Sequence, residues 1–243
     1  MGFATSFQLL FVMIVASLFL GSSLAFNSPP VMMSAGTKAP PKICILGGGF
    51  GGVYTALKLD SMPWENGMKP EITVVDPKDK FVFLPLLYEF ATDQAEVGEV
   101  APRYADLFAG TGVRHLRARA AGVDKAARAV ALEQGEGSEG AQRALSYDRL
   151  VVAVGAAAAA DRIPGVAEGR ALPFYTLEDA HALRGRLRAL KAAPNAARVV
   201  VVGGSYSGVE LACSLTSYFG RDGGDGGAGG GGCRVVLATR GPG

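Results

Sequence analysis

Two glycine-rich segments have the residue types and the spacing that bind the pyrophosphate of a dinucleotide. The first follows the apolar run 43–46 and consists of Gly47, Gly48, Gly49, Phe50, Gly51 and Gly52. The second follows the apolar run 199–202 and consists of Gly203, Gly204, Ser205, Tyr206, Ser207 and Gly208. In both cases apolar residues at helical spacing come next. A strand, a glycine turn and a helix, occurring twice, predict two dinucleotide sites on one chain.

In the first segment, each of the three fingerprint positions requires glycine for a steric reason. Gly47 allows the tight turn out of the strand, Gly49 lets the backbone approach a pyrophosphate, and Gly52 lets the helix pack closely on the sheet. The free amides and the positive end of the helix dipole then hold the phosphates. A tight turn that binds no ligand is the alternative interpretation.

A carboxylate ends the next predicted parallel strand, residues 71–76. Asp76 follows Gly47 at somewhat more than the usual spacing of about 20 residues, because residues 64–70 lengthen the connection. A carboxylate at this place accepts hydrogen bonds from ribose hydroxyls. The alternative is a turn residue that closes the strand before Pro77.

Composition excludes several other classes of function. The 243 residues carry a net charge of +2 and no basic stripe interleaved with aromatic residues, which argues against nucleic acid as a partner. The three cysteines form no C-x-x-C pair. With two histidines, His115 and His181, the chain offers almost nothing for a zinc site or a Ser-His-Asp triad. We therefore predict no metal ligand.

The first forty residues have the pattern of a targeting segment. A short apolar run, 9–20, precedes a small-residue pattern at 21–25 that suits cleavage by signal peptidase, so residues 1–25 are predicted to be a signal peptide. Residues 27–42 contain two lysines and no acid, and residues 26–40 are predicted to be a transit-like linker. Together they resemble the bipartite plastid presequences of algae with complex plastids. A plain secretory signal and a membrane anchor are the alternatives.

The remaining segments predict two domains, 41–160 and 161–243. The first contains a helix over 100–107, strands over 113–116, 120–123 and 129–132 in an antiparallel meander, a polar loop over 134–141, and a buried strand within 147–155. A crossover at 156–164 leads into the second, which contains a helix over 176–190 capped by Thr176. Its glycine-rich insertion, 222–232, is predicted to be a flexible loop and not a phosphate-binding loop, since no strand-to-helix turn frames it.

The order of the motifs over residues 41–220 resembles the type II NAD(P)H:quinone oxidoreductases, in particular their plastid members. Beside the glycine segments, the resemblance depends on Pro-Leu-Leu-Tyr-Glu at 85–89, Tyr-Asp-x-Leu-Val-x-Ala-x-Gly at 147–155, Tyr-Thr-Leu-Glu-Asp-Ala at 175–180 and Gly-Val-Glu at 208–210. It implies an α/β fold with two Rossmann-like dinucleotide-binding domains of the two-dinucleotide flavoprotein class.

The resemblance also implies roles. The first glycine segment would hold the FAD pyrophosphate and Asp76 its ribose, while Ala153 and Gly155 would pass close to the flavin nucleotide. Pro85 and Tyr88 would lie beside FAD on the way to the quinone, or merely begin a buried apolar helix. The second glycine segment would bind NADH or NADPH. Glu210 would stand where the nicotinamide meets the flavin, or act only as an acid near a helix amino terminus.

Two residues depart from the pattern of the second site. Ser205 replaces the middle glycine, so a side chain stands where the backbone should approach the pyrophosphate, and we expect weaker NAD(P)H binding. The strand after the insertion ends in Thr239 and Arg240 without a carboxylate. This strand end is compatible with NADPH as well as NADH, since an arginine can pair with a 2′-phosphate.

The chain stops at Gly243, before the segments with which the family continues, so the second domain is expected to be incomplete. The missing part includes the carboxy-terminal region through which the family associates peripherally with a membrane. The expected function is electron transfer from NAD(P)H through FAD to a plastoquinone-type quinone, at the surface of a thylakoid or inner plastid membrane, and a homodimer is left open. The alternatives are a catalytically incompetent nucleotide-binding fragment and a flavoprotein of the ferredoxin or monodehydroascorbate reductase type.

Overall fold

The computed structural model describes residues 39–64, 67–133, 144–158, 163, 165–166, 168–192, 197–220 and 233–239. Several predicted features lie outside these residues: the signal peptide 1–25, the transit-like linker as far as residue 38, the loop 134–141, the insertion 222–232 and Arg240. They stay predictions.

A four-stranded parallel sheet carries the first glycine segment. Its strands are β1 (Lys42–Leu46), β2 (Glu71–Asp76), β3 (Val113–Arg117) and β7 (Arg149–Val152), in the spatial order β3-β2-β1-β7. The chain passes from β1 to β2 on one side, while β7 pairs with β1 on the other. The strand order therefore reverses beside β1. In open parallel sheets the crevice at the carboxyl end of such a strand is where ligands bind.

Helix α1 (Phe50–Ser61) follows β1 and packs on the sheet through Gly52, Val53 and Ala56, which are all buried. These residues lie on one helical face because of their spacing. The strand beneath is buried along residues 43–46, as expected for a parallel strand covered on both faces. The first predicted strand-glycine-helix unit is thus confirmed.

A second, three-stranded sheet is antiparallel and consists of β4 (Arg119–Asp124), β5 (Ala129–Glu133) and β6 (Ala144–Ser146). The meander was predicted to include residues 113–116, and this was wrong. They form β3, which pairs with β2 in parallel and places Val113 in the core of the main sheet. Parallel pairing across a long connection leaves no local sequence signal.

Short helical elements connect β2 to β3. A 3-10 turn (Leu84–Leu86) leads into α2 (Leu87–Ala91), followed by α3 (Val97–Val100) and α4 (Tyr104–Leu107). The predicted continuous helix over 100–107 is wrong in its first part. Ala101 is non-helical (φ −133°, ψ 68°), since the ring of Pro102 disfavours the helical conformation in the residue before it.

The second half of the chain contains α5 (Leu177–Ala192), β8 (Arg198–Val202), α6 (Tyr206–Gly220) and β9 (Arg234–Ala238), with β8 and β9 parallel. The predicted cap of α5 is confirmed: the Asp179 amide donates to Thr176 Oγ1 at 3.1 Å, and the Thr176 amide donates to Asp179 Oδ2 at 2.9 Å. Within the described part of the chain, no helix combines the length and the apolar character needed to cross a membrane.

Candidate functional site

The loop after β1 is shaped by two glycines that touch. Gly47 has φ +98°, and its amide donates to the Val75 carbonyl at 2.9 Å. A Cβ at Gly52 would overlap the Gly47 carbonyl oxygen, and a Cβ at Gly47 would overlap the Ala153 carbonyl oxygen. Any larger residue at either position would therefore force the loop away from β7 or the helix away from the loop.

The middle glycine of the same loop faces open space. A Cβ at Gly49 would meet no atom within 4 Å. Gly49 is also the residue before α1, a helix of 12 residues without a side-chain cap hydrogen bond at Gly49 and without an acidic residue in its first turn. The uncapped amides and the helix dipole are suited to an anion in that space. The residues present therefore fit the pyrophosphate of a dinucleotide.

Asp76 is turned toward the glycine loop. Its Oδ2 accepts a hydrogen bond from the Gly48 amide at 2.7 Å, and its Oδ1 accepts one from the Lys78 amide at 2.8 Å. The second bond closes the turn after β2, as the alternative interpretation expected. Because an ionised carboxylate can accept about four hydrogen bonds, capacity remains for a ribose hydroxyl.

Residues after β7 line the other side of the loop. The Ala153 amide donates to the Leu46 carbonyl at 2.8 Å, which extends the sheet by one residue beside Gly47. Gly155 has φ +69°, a conformation that favours glycine. Both residues thus lie at the carboxyl edge of the sheet, where their predicted approach to a nucleotide is sterically feasible.

The second glycine loop repeats the geometry of the first. Gly203 has φ +122°, its amide donates to the Ala238 carbonyl at 2.9 Å, and a Cβ at Gly208 would overlap the Gly203 carbonyl oxygen. Ser205, Tyr206 and Ser207 are exposed, Tyr206 to 90%. Gly204 has the Thr239 side chain as its neighbour, and a Cβ there would overlap the threonine methyl group.

The two halves of the chain meet where Tyr88 of α2 packs on the second half. Tyr88 packs against the core formed by α5, α6 and β8. Burial raises the pKa of the Tyr88 phenol, and the charges of Glu210 and Glu89 raise it further. Glu210 is itself exposed on α6, and Pro85 is exposed in the 3-10 turn. The structure therefore brings Tyr88 and Glu210 into one neighbourhood, whereas Pro85 lies at the surface.

Asp93 connects the same two halves through ion pairs. It was not predicted from the sequence. Its Oδ1 accepts from Arg184 Nε at 2.5 Å and from Arg188 Nη2 at 2.6 Å, and its Oδ2 accepts from the Tyr218 hydroxyl at 3.5 Å. The hydrogen bond from Arg188 and the positive charges of both arginines hold the Asp93 pKa below its usual value, against the effect of burial. Asp93 follows α2, while its partners lie on α5 and α6.

Tyr104 contacts the first glycine loop, and it too was not predicted from the sequence. Its hydroxyl donates to the Gly48 carbonyl at 2.7 Å. The only sequence signal is Gly48 itself, a glycine at a position where the fingerprint allows any residue. Cys44 beneath the loop is buried, and burial raises the pKa of its thiol to about 11, so it behaves as a small apolar residue.

Comparison with known proteins identifies the family. Residues 41–237 match the family described as "Pyridine nucleotide-disulphide oxidoreductase". The chain belongs to this family. The predicted α/β fold of the two-dinucleotide flavoprotein class is thereby confirmed.

Proteins similar to this chain include quinone reductases. The chain is 42% identical over 189 residues to the demethylphylloquinone reductase NdbB of Synechocystis sp., which covers 77% of this chain and 46% of that protein. It is 38% identical over 226 residues to the alternative NAD(P)H-ubiquinone oxidoreductase C1, chloroplastic/mitochondrial, of Arabidopsis thaliana, covering 82% and 42%. The predicted resemblance to type II enzymes is confirmed, and the chain spans less than half the length of these relatives.

Solved structures share the fold. The putidaredoxin reductase in its covalent complex with putidaredoxin superimposes with a TM-score of 0.59 at 26% identity, over 82% of this chain and 42% of that one. NDH2 of Plasmodium falciparum in complex with NADH gives a TM-score of 0.61 at 24% identity, over 75% and 38%.

Proposed function

We propose that the chain binds FAD at the first glycine loop, within residues 41–160, and NADH or NADPH at the second, within residues 161–243. The observation that carries the proposal is the repetition of one loop geometry at the carboxyl ends of β1 and β8. In each loop the first glycine has a positive φ, and the last one packs on its carbonyl. The open space beside Gly49, where a Cβ would meet no atom within 4 Å, supports the proposal that a pyrophosphate binds at the first loop.

The chain's own residues bind and orient in this scheme. The amides at the amino terminus of α1 would hold the FAD pyrophosphate, and Asp76 would accept a ribose hydroxyl with its remaining lone pairs. Ala153 and Gly155 would lie beside the nucleotide on the side of β7. When bound, FAD would supply the redox chemistry between the nicotinamide and the final acceptor.

Tyr88 and Glu210 are the candidate residues between the two nucleotides. Glu210 is the proposed catalytic residue, because it lies near the second loop and its charge acts on Tyr88 of the first half. Tyr88, with its raised pKa, stays protonated at neutral pH and can donate a hydrogen bond. Pro85, exposed in the turn before Tyr88, would contribute to the surface beside FAD.

A membrane quinone of the plastoquinone type is the proposed acceptor. Support comes from the relatives, which are named for the reduction of demethylphylloquinone and of ubiquinone. Peripheral association with a thylakoid or inner plastid membrane, and assembly into a homodimer, belong to the same proposal.

A plastid is the proposed location. One relative is named chloroplastic/mitochondrial and another comes from a cyanobacterium, and residues 1–40 have the composition of a bipartite presequence. Fusion of residues 1–40 to a fluorescent protein in an alga with complex plastids should give plastid fluorescence. Fluorescence in the secretory pathway would contradict it.

The visible spectrum of the purified chain tests the enzymatic proposal. Flavin bands that bleach on addition of NADH or NADPH and recover on addition of decylplastoquinone would support it. Recovery with an oxidised ferredoxin and not with the quinone would favour a reductase of the putidaredoxin type, to which the chain is 30% identical over 182 residues. A colourless chain that takes up no added FAD would favour the incompetent fragment.

A further inference from the structure

The peptide groups on both sides of Gly48 are held by side chains from distant segments. The Gly48 amide donates to Asp76 Oδ2 at 2.7 Å, and the Gly48 carbonyl accepts from the Tyr104 hydroxyl at 2.7 Å. The preceding amide, of Gly47, is held by the Val75 carbonyl. Three backbone groups of two adjacent residues are thus fixed by hydrogen bonds within the chain.

The Tyr104 ring cannot easily move away from this position. Its residue is 2% exposed, and its backbone amide donates to the Asp79 carbonyl at 3.1 Å. The ring lies against His115 of β3, with 4.3 Å between ring centroids, and against Phe108, with 5.9 Å. Burial raises the pKa of the Tyr104 phenol, and the charges of Asp76 and Asp79 raise it further, so the hydroxyl keeps its proton at neutral pH.

Gly48 is a glycine because Tyr104 is there. It has no fingerprint role, yet a Cβ at Gly48 would overlap the Tyr104 hydroxyl oxygen. The next residue, Gly49, is the one that faces open space at the start of α1. The Gly48 carbonyl belongs to the same peptide plane as the Gly49 amide, so a bond that fixes the carbonyl also fixes the direction of that amide.

We propose that Tyr104 is a positioning residue of the first dinucleotide site, which holds the Gly48–Gly49 peptide in its ligand-binding orientation before the ligand arrives. The nature of the ligand depends on the proposed function; the fixing of the loop does not. A loop that is ordered in advance loses less conformational entropy on binding, which increases affinity.

Hydrogen exchange and FAD titration of the full chain test this role. Tyr104→Phe removes the hydroxyl and keeps the ring, and Tyr147→Phe is the control, because Tyr147 packs on the meander side of the core and makes no hydrogen bond through its hydroxyl to the described residues. In Tyr104→Phe we expect exchange in peptides spanning 47–52 to quicken about tenfold without ligand, and the FAD dissociation constant to rise about tenfold. NADH affinity and the control should stay unchanged.

The outcomes separate this proposal from the proposed function. Unchanged exchange at 47–52 in Tyr104→Phe would overturn the positioning role, as would an equal increase in all segments, which would indicate loss of general stability. Wild-type chain that takes up no FAD would contradict the proposed function, while the exchange data would still decide the role of Tyr104.

A double substitution tests the contact between Gly48 and Tyr104 even where Tyr104→Phe alone gives no clear result. Gly48→Ala should quicken exchange at 47–52 strongly because its methyl group would overlap the Tyr104 hydroxyl. In the background of Tyr104→Leu, which vacates that space, Gly48→Ala should add little further change. Additive effects of the two substitutions would contradict the contact on which the proposal depends.

Discussion

Thr239 takes the position after β9 that Asp76 takes at the end of β2. Val202 lies opposite Ala238 as Leu46 lies opposite Val75, and in both loops the next glycine amide donates to the carbonyl of that opposite residue at 2.9 Å. The first loop therefore meets a carboxylate, whereas the second meets a hydroxyl and a methyl group. A carboxylate at this place favours a 2′-hydroxyl, whereas Thr239 adds no charge that would repel the 2′-phosphate of NADPH.

Thr239→Asp should therefore shift the second site toward NADH. We expect the dissociation constant of NADPH to rise about tenfold relative to that of NADH, because the new carboxylate would repel the phosphate. Titration of each nucleotide by fluorescence measures both constants. Thr239→Asn, which has similar size without the charge, should leave their ratio nearly unchanged, and an unchanged ratio in Thr239→Asp would refute the equivalence with Asp76.

The parts of the fold that the sequence predicted are those set by local chemistry. The strand-glycine-helix units follow from neighbouring residues, and so does the Thr176–Asp179 cap. The placement of β3 and the contact of Tyr104 with Gly48 depend on pairing across long stretches of chain, 56 residues in the second case. No periodicity or spacing reports such contacts, so the residue that fixes the first loop could be found only in the structure.

Ser205→Gly should tighten nucleotide binding at the second site. At the equivalent position of the first loop, a Cβ at Gly49 would point into open space and not into the protein. A serine side chain there would therefore compete with the ligand's pyrophosphate, and its removal should lower the NADPH dissociation constant by about three- to tenfold. Isothermal titration measures the change.

A neighbouring serine provides the control for that experiment. Ser207→Ala alters the same exposed loop without touching the middle glycine position, and NADPH affinity should hardly change. Weaker binding in Ser205→Gly would mean that the serine hydroxyl donates to the nucleotide, the opposite of the steric expectation.

Asp93→Asn should weaken the attachment of α5 and α6 to the segment after α2. Asn tolerates the positive φ of residue 93, +57°, so the substitution removes the charge with little backbone strain. We expect the melting temperature to fall by about 2 to 4 °C in low salt and by less at high salt. Differential scanning calorimetry gives the values.

A more exposed ion pair serves as the comparison for Asp93. Glu178→Gln removes the pair with Lys78, whose side chains are 71% and 51% exposed respectively, and the melting temperature should change by less than about 1 °C. Equal effects of the two substitutions would show that Asp93 contributes no more than an ordinary surface charge.

His115 should make the stability of the chain fall in mild acid. Burial lowers its pKa below the usual 6.5, against the hydrogen bond with the Asp76 backbone and the charges of Asp76 and Asp79, while the charge of Arg117 adds to the lowering. The folded chain therefore keeps His115 neutral at a pH where the unfolded chain binds a proton. The contribution of His115 to the free energy of unfolding is therefore fully present above about pH 6.5. It decreases as the pH falls below that value, until the folded-state pKa is reached.

Urea denaturation of wild type and His115→Gln at several pH values between 8 and 5 measures this loss. The difference in unfolding free energy between the two chains should be constant above pH 7 and should change below pH 6.5 by up to about 1.4 kcal/mol per pH unit, to the disadvantage of wild type. Since the remaining titratable residues are present in both chains, the difference reports His115. A pH-independent difference would mean that the ring beneath Tyr104 titrates like a solvent-exposed histidine, and that the first loop does not rest on a neutral imidazole.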